Sequence, residues 1–177
     1  MLFDHSSQQV FLTKTGEKLH WEVLVHYDPR KALLGLLGYS KGDELSLAMA
    51  AFLKNITAIC FPQWPSPGNR SLIPVEKAEA QLLFITGQDD HVVKRKYYAT
   101  EVCKLLQAQG KENFQILSYP GTGHCIDPTF FPLYPIGNHP IFHKRAVLGE
   151  EFGTYSKAQV HAWPQIQAFF QKYLNDK

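Results

Sequence analysis

The sequence predicts an α/β fold with a truncated, mostly parallel sheet flanked by helices. Two patterns support this prediction. Continuous apolar runs of strand length alternate with amphipathic segments of helix length between residues 32 and 174. Strands that are apolar throughout are typical of parallel sheets, because helices bury both of their faces. At 177 residues, the chain is one domain by length and is long enough to form a substantial core.

Four apolar runs predict the core strands, and glycine, proline or polar turn residues bound them. They are residues 32–37, 57–61, 81–85 and 114–117. The first 30 residues show a weaker pattern. Short apolar runs at 10–12 and 21–25, with a turn signal at Gly16-Glu17 between them, favour two further short strands.

Three segments have the periodicity of helices, with apolar residues recurring every three or four positions. In the first of them, Leu45, Met49 and Phe52 form the apolar stripe. The predicted helices are residues 43–54, 94–109 and 156–174. Two proline-rich stretches, 62–74 and 128–149, are predicted to be loops.

The composition argues against several classes of function. The formal net charge is only +2 and the basic residues are scattered, which predicts neither nucleic-acid binding nor attraction to a membrane surface. Three cysteines without a Cys-x-x-Cys pair favour free thiols in a reducing compartment, with no metal site and no cofactor. We expect no signal peptide and no membrane span. The expected location is cytoplasmic; a peroxisomal one is the alternative, although no Ser-Lys-Leu-type signal ends the chain.

A Gly-x-Ser-x-Gly motif lies between the first core strand and the first helix. It consists of Gly38, Ser40 and Gly42. In a nucleophile elbow, the serine occupies a strained strand-to-helix turn and the glycines relieve crowding around it. The backbone N–H of Lys41, at the start of the helix, would then help to stabilise an oxyanion. The alternative is a glycine-rich turn without chemistry, but the flanking strand and helix favour the elbow.

Two further residues complete a catalytic triad in the chain order of α/β-hydrolases. Asp90 follows the third core strand and His124 follows the fourth. Loops at the carboxyl ends of parallel strands meet at one edge of the sheet, so the three side chains can converge. His124 would take the proton of Ser40, and Asp90 would orient the imidazole. The residues alone leave Asp89 open as the acid, and either aspartate could simply belong to a turn.

These segments resemble one known family, the acyl-CoA thioesterase / bile acid-CoA:amino acid N-acyltransferase family, in its C-terminal hydrolase domain. The resemblance covers about four-fifths of the chain, from near Leu33 to the end. It is carried by the segments Leu37–Gly42, Ala50–Ala58, Gly87–His91, Tyr119–His124 and Lys157–Trp163.

The resemblance implies hydrolysis of a fatty acyl-CoA to a free acid and CoA through an acyl-serine intermediate. The family's nucleophile falls on Ser40, its acid on Asp90, the second aspartate of Gln88-Asp89-Asp90, and its base on His124. Family members that conjugate amino acids carry cysteine at the nucleophile position. Ser40 therefore favours a serine-dependent thioesterase over an acyl-CoA:amino acid N-acyltransferase, which remains a third hypothesis.

The sequence departs from the family in its first part. Residues 1–31 form a divergent segment that replaces the early hydrolase strands, and residues 32–177 form a shortened hydrolase domain. The loop that supplies a second oxyanion donor is missing or replaced, and so are several tens of residues between the elbow helix and the acid strand. A rival hypothesis is therefore a catalytically impaired remnant that binds acyl chains or a partner. An uncovered sheet edge is also expected unless residues 1–31 or a partner cover it.

Overall fold

The computed structural model describes residues 9–12, 18–28, 33–39, 41–61, 73–92, 95–133, 136–139, 144–149 and 151–175. Strands and helices alternate in its central part, as the apolar runs predict. The strands there are β3 (Leu33–Tyr39), β4 (Ile56–Phe61), β5 (Gln81–Gly87) and β6 (Phe114–Tyr119). The helices are α1 (Lys41–Phe52), α2 (Arg95–Ala108) and α3 (Phe152–Asn175), with a short 3₁₀ turn at Val75–Lys77.

Two more strands precede this central part: β1 (Gln9–Leu12) and β2 (Lys18–Asp28). The sequence prediction of two short strands in this region is confirmed, although β2 is longer than expected. The turn expected at Gly16-Glu17 lies outside the described residues, as does most of the proline-rich loop after β4.

These six strands form one sheet in the order β1-β2-β3-β4-β5-β6. The pairs β3–β4, β4–β5 and β5–β6 are parallel, whereas β1–β2 and β2–β3 are antiparallel. The β2–β3 pairing runs along all of β3, from Asp28 opposite Leu33 to Glu22 opposite Tyr39. Strand β2 therefore covers the edge of β3, which was expected to be open unless residues 1–31 or a partner covered it.

Helices cover both faces of the parallel strands, and the alternation of side chains explains why. On β5, Leu82 and Phe84 pack into the core beneath α1 and α2, while Leu83 and Ile85 pack into the core beneath α3. All four are at most 1% exposed. Because β5 buries both sets of side chains, its sequence is apolar without interruption from Leu82 to Ile85, whereas the edge strand β6 leaves Gln115 and Ile116 exposed. The prediction of a truncated, mostly parallel sheet between helices is confirmed.

Two predictions for the last third of the chain are wrong. The stretch 128–149, expected to be a loop, contains a β-hairpin formed by β7 (Ile136–His139) and β8 (Lys144–Val147). Helix α3 begins at Phe152 rather than at residue 156, because the Glu151 carboxylate accepts hydrogen bonds from the backbone N–H groups of Gly153 and Thr154 at 3.1 and 2.8 Å. Among the described residues, no helix is long and apolar enough to cross a membrane.

Candidate active site

The carboxyl edge of the parallel sheet collects the elements that the sequence analysis singled out. Strand β3 ends at Tyr39, β5 ends at Gly87 and β6 ends at Tyr119, and Gly87 pairs directly with Tyr119. The chain reaches Asp90 three residues beyond β5 and His124 five residues beyond β6. Both loops therefore leave the sheet on the same side and next to one another.

His124 and Asp90 form a hydrogen-bonded pair. The Nδ1 atom of His124 lies 3.2 and 3.1 Å from the two carboxylate oxygens of Asp90. The Asp90 side chain is 1% exposed and that of His124 is 14% exposed, so the pair is shielded from water. Asp90 Oδ1 also accepts a hydrogen bond of 2.8 Å from the backbone N–H of Val92, which fixes the carboxylate.

This geometry assigns the protonation of the imidazole. A carboxylate accepts hydrogen bonds, so the ring of neutral His124 donates Nδ1–H to Asp90. The lone pair of the ring then lies on Nε2, which is the nitrogen able to take up a proton. An acid that orients a base in this way is the arrangement used in nucleophilic hydrolases.

The acid loop lies directly against the base loop. The backbone N–H of Asp89 donates to the carbonyl of Thr122, and that of Gln88 donates to the carbonyl of Tyr119, each at 3.0 Å. Gly87 makes this approach possible. A Cβ atom at position 87 would lie 2.0 Å from the carbonyl oxygen of Gly123, so no larger residue fits without moving one of the loops.

The base loop is also attached to the start of α3. The Thr154 hydroxyl donates to the carbonyl of Gly121, and the buried Thr122 hydroxyl donates to the carbonyl of Thr154 at 3.4 Å. Gly121 has a φ of +66°, a conformation that favours glycine. The loop that carries His124 therefore has a defined path on the side away from Asp90.

The end of the hairpin contacts both loops. The backbone N–H of His124 donates to the carbonyl of Leu148 at 2.8 Å. The next residue, Gly149, has a φ of +85°, and a Cβ atom there would lie 1.9 Å from the carbonyl oxygen of Asp89. Strand β8 thus delivers two consecutive residues to the base loop and to the acid loop.

The predicted nucleophile, Ser40, lies outside the described residues. Its neighbours are described: Tyr39 is the last residue of β3 and Lys41 is the first residue of α1. The strand and the helix that flank an elbow are therefore present. The predicted oxyanion donor, the Lys41 backbone N–H, belongs to the first turn of α1, where backbone N–H groups have no partner within the helix.

Buried polar groups lie near the start of α1. Asp43 and Ser46 are both fully buried. Burial, and then the charge of Asp43, raises the pKa of the Cys60 thiol on β4 well above its ordinary value. Burial raises the pKa of Tyr119, at the end of β6, to about 12. Cys60 and Tyr119 thus remain protonated at neutral pH and are poor candidates for acid–base chemistry.

The structure distinguishes the two adjacent aspartates. Asp89 is exposed, whereas the side chain of Asp90 is shielded from water and lies against His124. His91 is exposed. Nδ1 of His161, on α3, and the hydroxyl of Tyr119 form a hydrogen bond of 2.9 Å. In the described part of the chain, no group of three or more histidine, cysteine or acidic side chains could hold a metal ion.

Sequence reasoning missed the residues that hold the pair in place: Gly87, Leu148, Gly149 and Thr154. Gly87 and Gly149 carry the strongest available signal, since isolated glycines next to predicted catalytic loops often mark a close backbone approach. Leu148 and Thr154 carry no such signal because they act through a backbone carbonyl and through a contact distant in sequence.

A parallel sheet flanked by helices, with an Asp–His pair at its carboxyl edge, defines the α/β-hydrolase class. The comparison with known families is more specific. The family model described as "BAAT / Acyl-CoA thioester hydrolase C terminal" matches residues 62–176, which include Asp90 and His124. The chain belongs to this family.

Several curated relatives are similar to this chain. Acyl-coenzyme A thioesterase 1 of Homo sapiens is 36% identical over 92% of this chain and 51% of its own length. Acyl-coenzyme A thioesterase 1 of Rattus norvegicus is 39% identical over 81% of this chain and 44% of its own. The mitochondrial acyl-coenzyme A thioesterase 2 of Homo sapiens is 36% identical over 92% of this chain and 44% of its own.

The chain spans about half the length of these relatives. The alignment with the first of them runs over 215 residues, which is more than the 177 residues of this chain. The relative therefore contains stretches inside the matched region that have no counterpart here.

Proposed function

We propose that this protein is an acyl-CoA thioesterase that hydrolyses fatty acyl-CoA to a free fatty acid and CoA, with Ser40 as nucleophile, His124 as base and Asp90 as the acid of the triad. The observation that carries the proposal is the partly buried, hydrogen-bonded Asp90–His124 pair, which follows a Gly-x-Ser-x-Gly motif in the hydrolase chain order. The relatives described above are all acyl-coenzyme A thioesterases, which supplies the substrate class.

The reaction follows from the roles of the three side chains. Nε2 of His124 takes the proton of the Ser40 hydroxyl as the oxygen attacks the thioester carbonyl. The backbone N–H of Lys41 donates to the resulting oxyanion. Collapse of the intermediate releases the CoA thiol, which receives the proton from His124. His124 then deprotonates a water that attacks the acyl-serine, and it returns this proton to the Ser40 oxygen as the fatty acid is released.

Three exposed apolar side chains on the segments that follow His124 in the chain suit a fatty acyl chain. Phe130 is 94% exposed, and its φ of +70° is unusual for an aromatic residue. Ile136 and Val147 pair directly across the hairpin and are each 57% exposed. Exposed apolar surface of this kind is typical of sites that bind apolar ligands.

We also propose that residues 1–31 take the place of the early hydrolase strands and that residues 32–177 are the shortened hydrolase domain. The antiparallel pairing of β2 along the whole of β3 supports this division, because it provides the neighbour that β3 needs on that side. The three free cysteines support a cytoplasmic location, since thiols remain reduced there.

The decisive experiment measures thiol release from long-chain acyl-CoA with the purified full chain and with Ser40→Ala. We expect release by the parent protein and its loss in Ser40→Ala, because the acyl-serine can no longer form. Ser46→Ala is a matched control. It removes a buried hydroxyl from α1 that has no hydrogen-bond partner among the described residues, so release should be unchanged.

A fluorophosphonate probe separates the remaining hypotheses. Labelling of Ser40 together with thiol release supports the thioesterase. Equal release by the parent protein and Ser40→Ala would contradict the assigned nucleophile. Neither labelling nor release would favour the impaired acyl-binding remnant. Product analysis in the presence of glycine or taurine tests the acyltransferase hypothesis, which free acid as the sole product would exclude.

A further inference from the structure

We propose that Gly149, together with the backbone carbonyl of Leu148, is a positioning residue that sets the distance between Asp90 and His124. The inference rests on the proposed function, because it concerns the same acid–base pair. It extends that function by assigning a role to the end of the β7–β8 hairpin, in a stretch that the sequence predicted to be a loop.

The first step is the contact with the acid loop. Gly149 lies so close to Asp89 that an added Cβ atom would be 1.9 Å from its carbonyl oxygen and 3.1 Å from its carbonyl carbon. Both of these are backbone atoms, which cannot rotate away as the end of a side chain can. Gly149 therefore limits how far the backbone just before Asp90 can move towards the hairpin.

The second step is the contact with the base loop. The carbonyl of Leu148 accepts the backbone N–H of His124 at 2.8 Å, a normal hydrogen bond. The Leu148 side chain is 9% exposed and packs near Gly137 of β7, which anchors the end of the hairpin. One buried residue thus fixes the backbone of the base, and the next residue fixes the backbone beside the acid.

The third step is that these two contacts act on one distance. The loops also touch through Asp89 and Thr122, but that bond lies before Asp90 and before His124 along both loops. The Leu148–Gly149 segment contacts the next peptide group of each loop, since it meets the Asp89 carbonyl and the His124 N–H, which lead directly into the two side chains. A shift of Gly149 therefore moves the Asp90 carboxylate relative to His124 Nδ1.

The test is Gly149→Ala in the full chain. The new Cβ forces the Asp89 carbonyl to move by roughly 1 Å or more, and a misplacement of about 1 Å can reduce turnover about 100-fold. We expect kcat to fall by this order with KM nearly unchanged, since Gly149 holds no substrate. We also expect loss of the low-field proton resonance of His124 Nδ1–H, which requires the short contact with Asp90.

Gly110→Ala is the matched control. Gly110 has a φ of +70°, similar to that of Gly149, but a Cβ atom there would meet nothing within 4 Å. The two variants share the backbone strain of alanine at positive φ and differ in the contact. We expect Gly110→Ala to lose some thermal stability and to keep both kcat and the low-field resonance.

A second pair of variants decides the question if Gly149→Ala does not fold. Leu148→Ala loosens the buried anchor next to the His124 hydrogen bond, whereas Arg145→Ala alters an exposed side chain on the same strand end. The proposal is supported if the low-field resonance is lost in Leu148→Ala and kept in the control variant. Retention of the resonance and of kcat in the folded Gly149 or Leu148 variant would overturn it. The resonance is measured without substrate, so an inactive parent protein would contradict the proposed function and leave this test intact.

Discussion

Replacement of Asp90 by asparagine isolates the contribution of the acid to the proposed reaction. Asparagine has nearly the shape of aspartate and can keep the 2.8 Å hydrogen bond from the Val92 N–H. Both carboxylate oxygens now lie within 3.2 Å of His124 Nδ1. With one oxygen used for Val92, asparagine turns an NH₂ group towards the ring. Two donors then face one another unless the ring moves its proton to Nε2.

The magnitude follows from this change of tautomer. An imidazole with Nε2–H cannot accept the proton of the nucleophile, so the base is absent in the ground state. In a well-studied serine hydrolase, the equivalent substitution reduces kcat about 10⁴-fold. At about 1.4 kcal/mol for each factor of ten, this corresponds to a loss of roughly 5.5 kcal/mol of transition-state stabilisation. We expect a reduction of the same order here.

The assay is continuous detection of the CoA thiol with saturating long-chain acyl-CoA, for Asp90→Asn and for Asp89→Asn. Asp89→Asn is the matched control, because it makes the same chemical change one residue earlier on an exposed side chain. We expect it to remain within about twofold of the parent protein, as surface substitutions have small effects. An Asp90→Asn variant with more than a tenth of the parental kcat, or equal losses in the two variants, would refute the reasoning.

Two further predictions concern groups outside the acid–base pair. Burial raises the pKa of Cys103 to about 11, so its thiolate fraction at pH 8 is about 100-fold smaller than that of an ordinary cysteine. Mass spectrometry after alkylation should therefore find Cys125 modified before Cys103. Equal rates of alkylation at Cys103 and Cys125 would contradict this prediction. Hydrogen bonds from the Thr154 and Gly153 N–H groups lower the pKa of Glu151. The charged carboxylate therefore stabilises the fold at pH values above the ordinary pKa of glutamate. This contribution to stability is lost as the pH falls through the lowered pKa. Denaturation by urea between pH 6 and 3 should show a shallower acid dependence for Glu151→Gln, and the same dependence as the parent protein for the exposed control Glu112→Gln.

The parallel core could be predicted because its physical signal is local. A strand buried on both faces must be apolar at every position, as Leu82 to Ile85 are, and no arrangement of distant residues changes that requirement. The amphipathic stripe of α3 is local in the same sense. Its first turn is not, since it depends on the Glu151 carboxylate rather than on apolar spacing.

The hairpin could not be predicted because its pairing is weakly written in the sequence. Strand β7 reads Ile-Gly-Asn-His and β8 reads Lys-Arg-Ala-Val, so neither shows the alternation of apolar and polar residues that marks a half-buried strand. The pair is only four residues long, and its flanking prolines favour a loop. Its burial comes from Leu148, whose carbonyl bonds the backbone of His124, a residue distant in sequence.

The candidate site shows the same division between local and tertiary information. Chain order and strand ends were enough to predict His124 and an aspartate after β5. They did not separate Asp89 from Asp90, because both follow the same strand and differ by one residue. The tertiary contacts make the distinction. The Asp89 backbone is used to join the loops, which leaves the next side chain, Asp90, to face His124.

The shortening of the chain affects two parts of the proposed active site differently: the acid–base pair and the oxyanion donor. The tethers of Asp90 and His124 described above join residues between Gly87 and Thr154, inside the segment that matches the family. None of them involves β1 or β2. The acid–base pair is thus held by its own loops, the hairpin and the start of α3. The oxyanion side depends instead on the β3–α1 turn and on the strand that lies beside β3, which in this chain is the antiparallel β2. The rate of thiol release will therefore report on the N-terminal segment, while the Asp90–His124 resonance will report on the remainder of the site.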